Sequence, residues 1–267
     1  MKTLLIDGDI LLFTVTRITE DYSTFGDIEC SSFSEEDTIR LFEQGLDEIG
    51  RKCGYERDAM VFCMTHEENF RKEFFPTYKN NRKKVVKPLG LKFIREYIKE
   101  NADKYHLAMM DKLEADDVMG IFASTDPVNM SIYSQDKDLF TVPCRQWCFK
   151  KKKFITPSHL ESYRFLYTQV LTGDVVDSYT GLVGIGKVKA AKALGGCKDV
   201  LEMLEACHRL YFKKHKELAK EKLLEQIGQA RILHQDDFIK LMQENKTINP
   251  YELLGVTDGM QEMWERD

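Results

Sequence analysis

The stretch KTLLID, residues 2–7, places an aspartate directly after a short run of apolar residues. An apolar run without polar alternation is typical of a strand that is buried on both faces of a parallel sheet. The runs AMVFCM (59–64) and VNMSIYS (128–134) have the same character, and segments with helical spacing separate the three runs. We therefore predict an α/β fold with a mostly parallel sheet flanked by helices.

Two segments carry the signals of helix ends. In residues 34–54 a serine precedes the first turn and a glycine follows the last. In residues 113–125, LEADDVMGIFAST, the acids stand where the helix dipole favours negative charge. After Thr156 the apolar residues follow helical spacing almost throughout. We therefore predict an α/β domain over residues 1–155 and a helical region over residues 156–267.

The composition argues against several classes of protein. The 267 residues include seven cysteines without a CxxC pair, which disfavours a disulfide framework and a zinc knuckle. Asp7 interrupts the apolar run at the N-terminus, so this run has the character of neither a signal peptide nor a membrane span. We expect a cytoplasmic monomer without membrane association.

Basic residues are concentrated in three segments, although the formal net charge is −5. Residues 71–104 hold eleven Lys or Arg against four acids, residues 145–153 hold five basic groups and no acid, and residues 178–198 hold four lysines and no acid. A solvated surface explains each segment equally well when it is taken alone. Together they suit an anionic polymer bound beside a carboxylate-rich centre.

Eight carboxylates stand at four places where an α/β fold could bring side chains together. They are Asp7 after the first strand, Glu114, Asp116 and Asp117 at a helix start, Asp136 and Asp138 after a later strand, and Asp174 with Asp177 further on. Sites in parallel sheets form outside the carboxyl ends of strands, and residues three apart share one face of a helix. Because gathered carboxylates repel each other, we expect a divalent cation among them. Oxygen ligands without a His or Cys cluster indicate Mg²⁺ or Mn²⁺.

Three of the four acidic positions also have an ordinary structural explanation. Asp7 is explained as a turn residue, the acids at 114–117 as helix caps, and Asp136 and Asp138 as loop residues. The occurrence of four acidic positions together with three basic segments favours the metal site over these separate explanations.

Five motifs in order resemble the 5′-nuclease superfamily. They are LIDGD, FRKEFFPTYKNNRKK, LEADDVMG, SQDKDLF and GDVVDSYTGLVGIGKVKA, between about residue 4 and residue 194. The superfamily includes bacteriophage 5′→3′ exonucleases, flap endonucleases and the 5′-nuclease domain of bacterial DNA polymerase I. The resemblance implies a PIN-like (Rossmann-like) α/β fold with a helical arch at about 76–108 and a C-terminal helix-three-turn-helix at about 171–194.

The resemblance also implies roles for individual residues. The eight acids correspond to the residues that hold two divalent ions in the family, Mg²⁺ with Mn²⁺ able to substitute. Lys79 and Arg82 correspond to the catalytic Lys and Arg that reach the scissile phosphate from the base of the arch. The DNA contacts predicted in the same region are Arg71, Tyr78, Lys83 and Lys84.

The sequence GLVGIGKVKA, residues 181–190, matches the glycine-rich hairpin of the family's helix-three-turn-helix. Glycines allow a close approach of the backbone to phosphates, and lysines at a helix N-terminus add positive charge. In the family, backbone carbonyls of this hairpin also tend to bind K⁺. The DNA contacts predicted here are Gly184, Gly186, Lys187, Lys189 and Lys192.

Two positions depart from the family pattern. Met64 stands where members often carry an aspartate, six residues before the Phe of the F-R pair, so we expect a difference in metal affinity or spacing. Ser178 stands where an Asn often follows the second acid of G-D-x-x-D, which is a smaller change because a hydroxyl still forms local hydrogen bonds.

The expected activity is that of a divalent-metal-dependent 5′→3′ exonuclease or structure-specific flap endonuclease with a two-metal mechanism. Its substrate would be duplex DNA with a free 5′ end, flap or nick, extending to RNA–DNA hybrids. Its role would be primer removal in phage replication, or DNA degradation, in the host cytoplasm. A PIN-like ribonuclease and an inactive DNA-structure-binding homologue remain alternatives, and the preference between exonuclease and flap endonuclease stays open.

Overall fold

The computed structural model describes residues 2–26 and 28–244. The chain divides into two compact units. Unit 1 comprises residues 1–68, 85–136 and 144–156, and unit 2 comprises residues 69–84, 137–143 and 157–267. The predicted boundary after residue 155 therefore does not account for segments 69–84 and 137–143, which pack with unit 2.

The elements of the described part are numbered in chain order. The strands are β1 Thr3–Asp7, β2 Glu20–Phe25, β3 Ile28–Phe33, β4 Met60–Cys63, β5 Leu107–Ala108, β6 Met130–Tyr133, β7 Arg145–Cys148 and β8 Lys153–Ile155. The helices are α1 Gly8–Ile18, α2 Glu35–Cys53, α3 Phe70–Phe74, α4 Gly90–Glu100, α5 Ala102–Tyr105, α6 Ala115–Thr125, α7 His159–Thr172, α8 Lys187–Leu194, α9 Val200–His215, α10 Ala219–Ala230 and α11 Gln235–Glu244.

Unit 1 is built on a six-stranded sheet with the order β5-β4-β1-β6-β7-β8. The strand β1 pairs in parallel with β4 on one side and with β6 on the other, and within the described part of this six-stranded sheet only the β7–β8 pair is antiparallel. The three strands predicted from the sequence are therefore confirmed as β1, β4 and β6. Because the strand order reverses between β1 and β6, the crevice typical of ligand sites lies at their carboxyl ends.

Helices α1, α2 and α4 cover the sheet of unit 1 with a shared apolar core. Leu4, Ile6, Phe42, Phe62 and Ile94 are buried together in it. The predicted helix at 34–54 is confirmed as α2, since the Ser34 hydroxyl accepts a hydrogen bond from the N–H of Asp37 (3.1 Å) and Gly54 adopts φ 74° after the last turn. Both ends of this helix follow from local sequence.

The segment predicted as a helical arch, 76–108, is for much of its length part of the unit 1 core. Its longest helix, α4, buries Ile94 and Ile98 completely among the apolar side chains over the sheet. The part of the predicted arch that forms α4 is therefore corrected to a core helix, because a helix with one face in the core cannot form a free-standing span. The arch over the residues before α4 stays a prediction. Residues 85–87, which precede α4, have exposed side chains.

Unit 2 packs α7, α8, α9 and α10 around a separate core that includes Leu166, Val170, Tyr211 and Leu223. The buried Tyr211 hydroxyl donates a hydrogen bond to the carbonyl of Val170 (2.8 Å), which satisfies the polar end of this aromatic residue. The helical character predicted after residue 156 is confirmed as far as Glu244, and the rest of the predicted helical region, residues 245–267, lies outside the described residues. None of the helices in the described ranges 2–26 and 28–244 is long and apolar enough to cross a membrane.

Replacing Gly181 by Ala should destabilise unit 2. Gly181 has φ 62°, and a Cβ atom there would lie 2.2 Å from the backbone nitrogen of Gly173. We expect a loss of at least about 1–3 kcal/mol in the free energy of unfolding, the scale of one strained backbone position, measured by chemical denaturation. Gly196→Ala is the matched control, because φ is ordinary there and the described part leaves open space for a Cβ. Equal stability of the two variants would contradict this account.

Candidate functional site

Asp7 joins the carboxyl ends of the two central strands of unit 1. It is the last residue of β1 and caps α1, where its Oδ1 accepts a hydrogen bond from the N–H of Ile10 (3.2 Å). Its Oδ2 accepts one from the hydroxyl of Ser134 (2.6 Å), just after β6. The Ser134 oxygen in turn accepts from the N–H of Asp136 (2.9 Å). The two strand-end acids predicted from the sequence, Asp7 and Asp136, are thus linked through one hydroxyl.

Burial raises the pKa of Asp7 to about 6, with a smaller contribution from the charge of Asp9 and an opposing one from the Ser134 hydroxyl. A raised carboxyl pKa means that the folded state binds the proton more tightly than the unfolded state, so stability is lost as pH rises from about 4 to about 6. The difference between the ordinary 3.8 and about 6 corresponds to about 3 kcal/mol. At neutral pH without metal, ionised Asp7 therefore opposes folding.

We expect Asp7→Asn to remove this pH dependence. In the presence of a chelator, the unfolding free energy of the wild type relative to Asp7→Asn should fall by about 2 kcal/mol between pH 4 and pH 6.5. Chemical denaturation of both proteins across this range measures the difference. If the unfolding free energy of the wild type relative to Asp7→Asn stayed constant or increased as pH rises, the raised pKa of Asp7 would be contradicted.

The start of α6 carries a cluster of three carboxylates. One oxygen atom from each of Glu114, Asp116 and Asp117 lies within 4.8 Å of the others. Glu114 and Asp117 are buried and Asp116 is half-buried. The N–H of Glu114 donates to Oδ2 of Asp117 (3.4 Å), so part of this charge also caps the helix. Helix-capping and metal-binding explanations therefore apply to the same residues.

The geometry of this cluster fits a divalent cation. Three carboxylates this close repel each other strongly unless a cation or protons intervene, and the positive end of the α6 dipole offsets only part of that repulsion. An ion surrounded by carboxylate oxygens alone suits a hard cation. Asp7 and Asp136 add two more carboxylates to unit 1 at the ends of β1 and β6.

In unit 2, Asp174 and Asp177 lie on a turn and not on a helix, so the helical interpretation of their three-residue spacing is wrong. Helix α7 ends at Thr172, and Gly173 follows with φ 72°. Asp174 then forms an antiparallel bridge with Tyr179. Its Oδ1 accepts a hydrogen bond from the N–H of Val176 (2.8 Å), which is a common way for an aspartate to stabilise a turn.

Lys137 connects two of the predicted metal ligands of unit 2. Its ammonium group donates a hydrogen bond to Oδ2 of Asp174 and lies 3.9 Å from Oδ1 of Asp138. The amide of Gln169 donates to the same Oδ1 of Asp138 (2.6 Å). Burial raises the pKa of Asp174, but the hydrogen bond from Lys137 and the nearby N–H groups outweigh it, so the pKa is lowered overall. Asp174 is therefore ionised at neutral pH.

The predicted catalytic residues Lys79 and Arg82 lie against the second acid of this turn. A guanidinium nitrogen of Arg82 donates to Oδ1 of Asp177 (2.6 Å), and the Lys79 ammonium is 3.9 Å from Oδ2. The N–H of Lys79 also donates to the carbonyl of Asp177 (2.9 Å). Lys79 has φ 52°, an uncommon conformation for a lysine. Unit 2 therefore brings three predicted site residues together.

The prediction that Arg71 and Tyr78 contact DNA directly is corrected by their burial. Arg71 is 2% exposed, and its guanidinium donates to the backbone carbonyls of Gly228 (3.3 Å) and Arg231 (2.5 Å). The guanidinium carbon also lies 5.9 Å from the ring centre of Tyr78, which is 4% exposed. These residues support the segment that carries Lys79, because a buried guanidinium is retained where carbonyl oxygens satisfy it.

The predicted DNA contacts around α8 are exposed, as binding to a large anion requires. Gly184, Gly186, Lys187, Lys189 and Lys192 all lie at the surface of unit 2. Gly184 has φ 92°, which permits the tight turn before the helix. The side chains of the other two predicted contacts, Lys83 and Lys84, lie outside the described part of the structure.

Sequence reasoning missed two residues that organise these acids. Ser134 links Asp7 to Asp136, and Lys137 links Asp138 to Asp174. A signal for Lys137 was present, since it stands between two acids in SQDKD. Met64 stands where family members often carry an aspartate. Its side chain is completely buried in the apolar core of unit 1.

Comparison with known proteins shows the family to which the chain belongs. A family model described as "5′-3′ exonuclease, N-terminal resolvase-like domain" matches residues 2–163. The sequence is 31% identical over 198 residues to the exonuclease of Escherichia phage T7, covering 68% of this chain and 63% of that protein. It is 26% identical over 170 residues to flap endonuclease Xni of Shewanella baltica, covering 59% of this chain and 64% of that protein. The match thus spans slightly less than two thirds of either relative.

A solved structure shares the fold. The bacteriophage T5 D15 protein, co-crystallised with metal ions, aligns with a TM-score of 0.61 at 14% identity, covering 95% of this chain and 98% of that one. At this identity the likeness concerns the fold alone. It confirms the predicted PIN-like α/β architecture with a mostly parallel sheet.

Proposed function

Because the chain belongs to the family described as the 5′-3′ exonuclease N-terminal resolvase-like domain, we propose that it hydrolyses phosphodiester bonds near DNA 5′ ends with the aid of divalent metal ions. The observation that carries the proposal is the set of three carboxylates at the start of α6, within 4.8 Å of one another. Curated relatives are named exonuclease and flap endonuclease, which supports the same reaction class.

The proposal assigns Mg²⁺, with Mn²⁺ as a substitute, to the acids of both units. One ion would be held by Glu114, Asp116 and Asp117 with the strand-end acids Asp7 and Asp136, and a second by the unit 2 acids Asp138, Asp174 and Asp177. Bound divalent ions in such sites activate water and stabilise the leaving 3′ oxygen. Lys137 pairs with Asp174, and Arg82 pairs with Asp177. Metal binding would release these cations toward phosphate oxygens.

Lys79 and Arg82 are proposed as the groups that stabilise charge on the scissile phosphate. A guanidinium can present two N–H donors to phosphate oxygens, whereas the ammonium acts as a compact point charge. The surface lysines of α8 would hold the phosphate backbone without reading base edges. We therefore propose DNA with a 5′ end, flap or nick as substrate, including RNA–DNA hybrids, with the protein acting as a monomer in primer removal or DNA degradation.

The expected K⁺ at the glycine-rich hairpin has a competitor in this chain. The ammonium groups of Lys214 and Lys189 donate to the carbonyls of Val183 and Gly184, at 2.8 Å each. These carbonyls are the type of oxygen that a K⁺ ion would use. A K⁺ ion that used these two carbonyls would have to displace the ammonium groups of both lysines.

The test is a cleavage assay with 5′-labelled flap, nicked and blunt duplex DNA, and with single-stranded RNA, in Mg²⁺ and in chelator. Metal-dependent release of short products from the DNA substrates supports the proposal. Preferential cleavage of RNA would favour a PIN-like ribonuclease. DNA binding without cleavage in either Mg²⁺ or Mn²⁺ would leave only the inactive DNA-structure-binding homologue.

A further inference from the structure

We propose that Asp9, Thr65 and Arg95 form a positioning network that fixes the carboxylate cluster of α6 and sets its affinity for divalent metal. The inference rests on the proposed function and concerns unit 1 alone. None of the three residues belongs to the carboxylate cluster itself, and each contributes from a different element or loop: α1, the segment after β4, and α4.

The first part of the network is a closed set of bonds around Thr65. The two terminal nitrogens of the Arg95 guanidinium donate to Oδ1 of Asp9 (2.6 Å) and to the carbonyl of Thr65 (2.5 Å). Oδ2 of Asp9 accepts from the N–H of Thr65 (3.2 Å). Both backbone polar groups of Thr65 are therefore held by one ion pair. A lysine cannot reproduce this arrangement, because it lacks the planar fork that reaches two acceptors.

The second part connects Thr65 to the cluster. The hydroxyl oxygen of Thr65 accepts a hydrogen bond from the N–H of Ala115 (2.9 Å), the first residue of α6. The next residue, His66, donates its N–H to the carbonyl of Leu113 (2.9 Å). These two bonds lie on either side of Glu114 in the chain. The backbone that carries the first carboxylate of the cluster is thus fixed from both sides.

The charges explain why Asp9 is a positioning residue and not a further metal ligand. Its side chain is 33% exposed and that of Arg95 is 19% exposed, so their ion pair is only partly screened by solvent. The guanidinium takes one carboxylate oxygen of Asp9 and the N–H of Thr65 takes the other. Partners of metal-site residues of this kind typically change metal affinity or activity by about 10–100-fold when they are removed.

The experiment compares Arg95→Lys and Asp9→Asn with the matched control Arg40→Lys. Arg40 donates to Asp37 at the same 2.6 Å distance in unit 1, on the exposed surface of α2. Binding of Mn²⁺ without DNA is measured by calorimetry, and the Mg²⁺ dependence of flap cleavage is measured in parallel. We expect both network variants to weaken Mn²⁺ binding about 10-fold or more and to require correspondingly more Mg²⁺, whereas Arg40→Lys should match the wild type.

Thr65 supplies a second comparison that does not depend on the ion pair. Thr65→Ser keeps the hydroxyl and should bind Mn²⁺ like the wild type, whereas Thr65→Val removes only the acceptor for Ala115 and should bind it more weakly. Equal Mn²⁺ affinity in Thr65→Val, Thr65→Ser and the wild type would overturn the inference, even if Arg95→Lys failed to fold. A wild type that neither binds Mn²⁺ nor cleaves DNA would instead refute the proposed function.

Discussion

Replacing Asp116 by Asn should reduce Mg²⁺-dependent cleavage of a 5′-flap duplex by about 10³-fold, the scale on which a preorganised charged group contributes to catalysis. The substitution keeps the shape of the side chain and one oxygen atom but removes a negative charge from the cluster at α6. A neutral amide oxygen is a weaker ligand for a hard cation than a carboxylate oxygen. The measurement is single-turnover cleavage at saturating enzyme.

The matched control is Asp111→Asn, five residues earlier in the same unit. The Asp111 side chain is 80% exposed and lies 3.5 Å from the His66 ring, outside the carboxylate cluster. The Asp111→Asn variant should cleave the 5′-flap duplex at the wild-type rate. Duplex binding by Asp116→Asn should be retained, since the change removes negative charge. Near-normal cleavage by Asp116→Asn would show that the cluster serves only to start the helix.

Replacing Lys79 or Arg82 by Ala should lower the cleavage rate by about 10²-fold or more and leave duplex affinity nearly unchanged. Both cations lie against Asp177, and under the proposed function they would turn to the scissile phosphate if a metal ion held that carboxylate. Their contribution then appears mainly as charge develops in the transition state. Single-turnover rates and equilibrium binding on one flap substrate separate the two effects.

Lys72→Ala provides the comparison for ordinary surface charge in unit 2. Lys72 is exposed on α3, seven residues before Lys79. Lys72→Ala should change neither the single-turnover cleavage rate nor the duplex affinity strongly. Parallel losses of rate and affinity in Lys79→Ala and Arg82→Ala would mean that these groups only tether DNA.

The features predictable from sequence were those determined by local pattern. The apolar runs of β1, β4 and β6 identified buried strands, and Ser34 and Gly54 marked the ends of α2 because capping depends on neighbouring residues alone. The positions of Asp7 after β1 and of Glu114 before α6 followed from the same signals. The β2–β3 hairpin was not predicted, since Asp21 through Thr24 are exposed and provide no buried alternation.

The features that sequence reasoning missed depend on contacts between distant parts of the chain. The spacing of Asp174 and Asp177 fitted a helix, but Gly173 and the Asp174–Tyr179 bridge end it first. The family resemblance predicts Arg71 as a DNA contact, which would require an exposed side chain. Its burial depends on carbonyls from residues 228 and 231, which no local pattern reveals.

The ion pairs of Lys137 with Asp174 and of Arg82 with Asp177 have a consequence for the chain when metal is scarce. These carboxylates have counterions of their own, so under the proposed function removal of Mg²⁺ would leave both ion pairs of unit 2 in place. In a buffer depleted of divalent ions, unit 2 would then keep these contacts, whereas the buried carboxylate of Asp7 would oppose folding of unit 1 at neutral pH. Ions added back would find the acids of unit 2 already in place, without refolding of that unit.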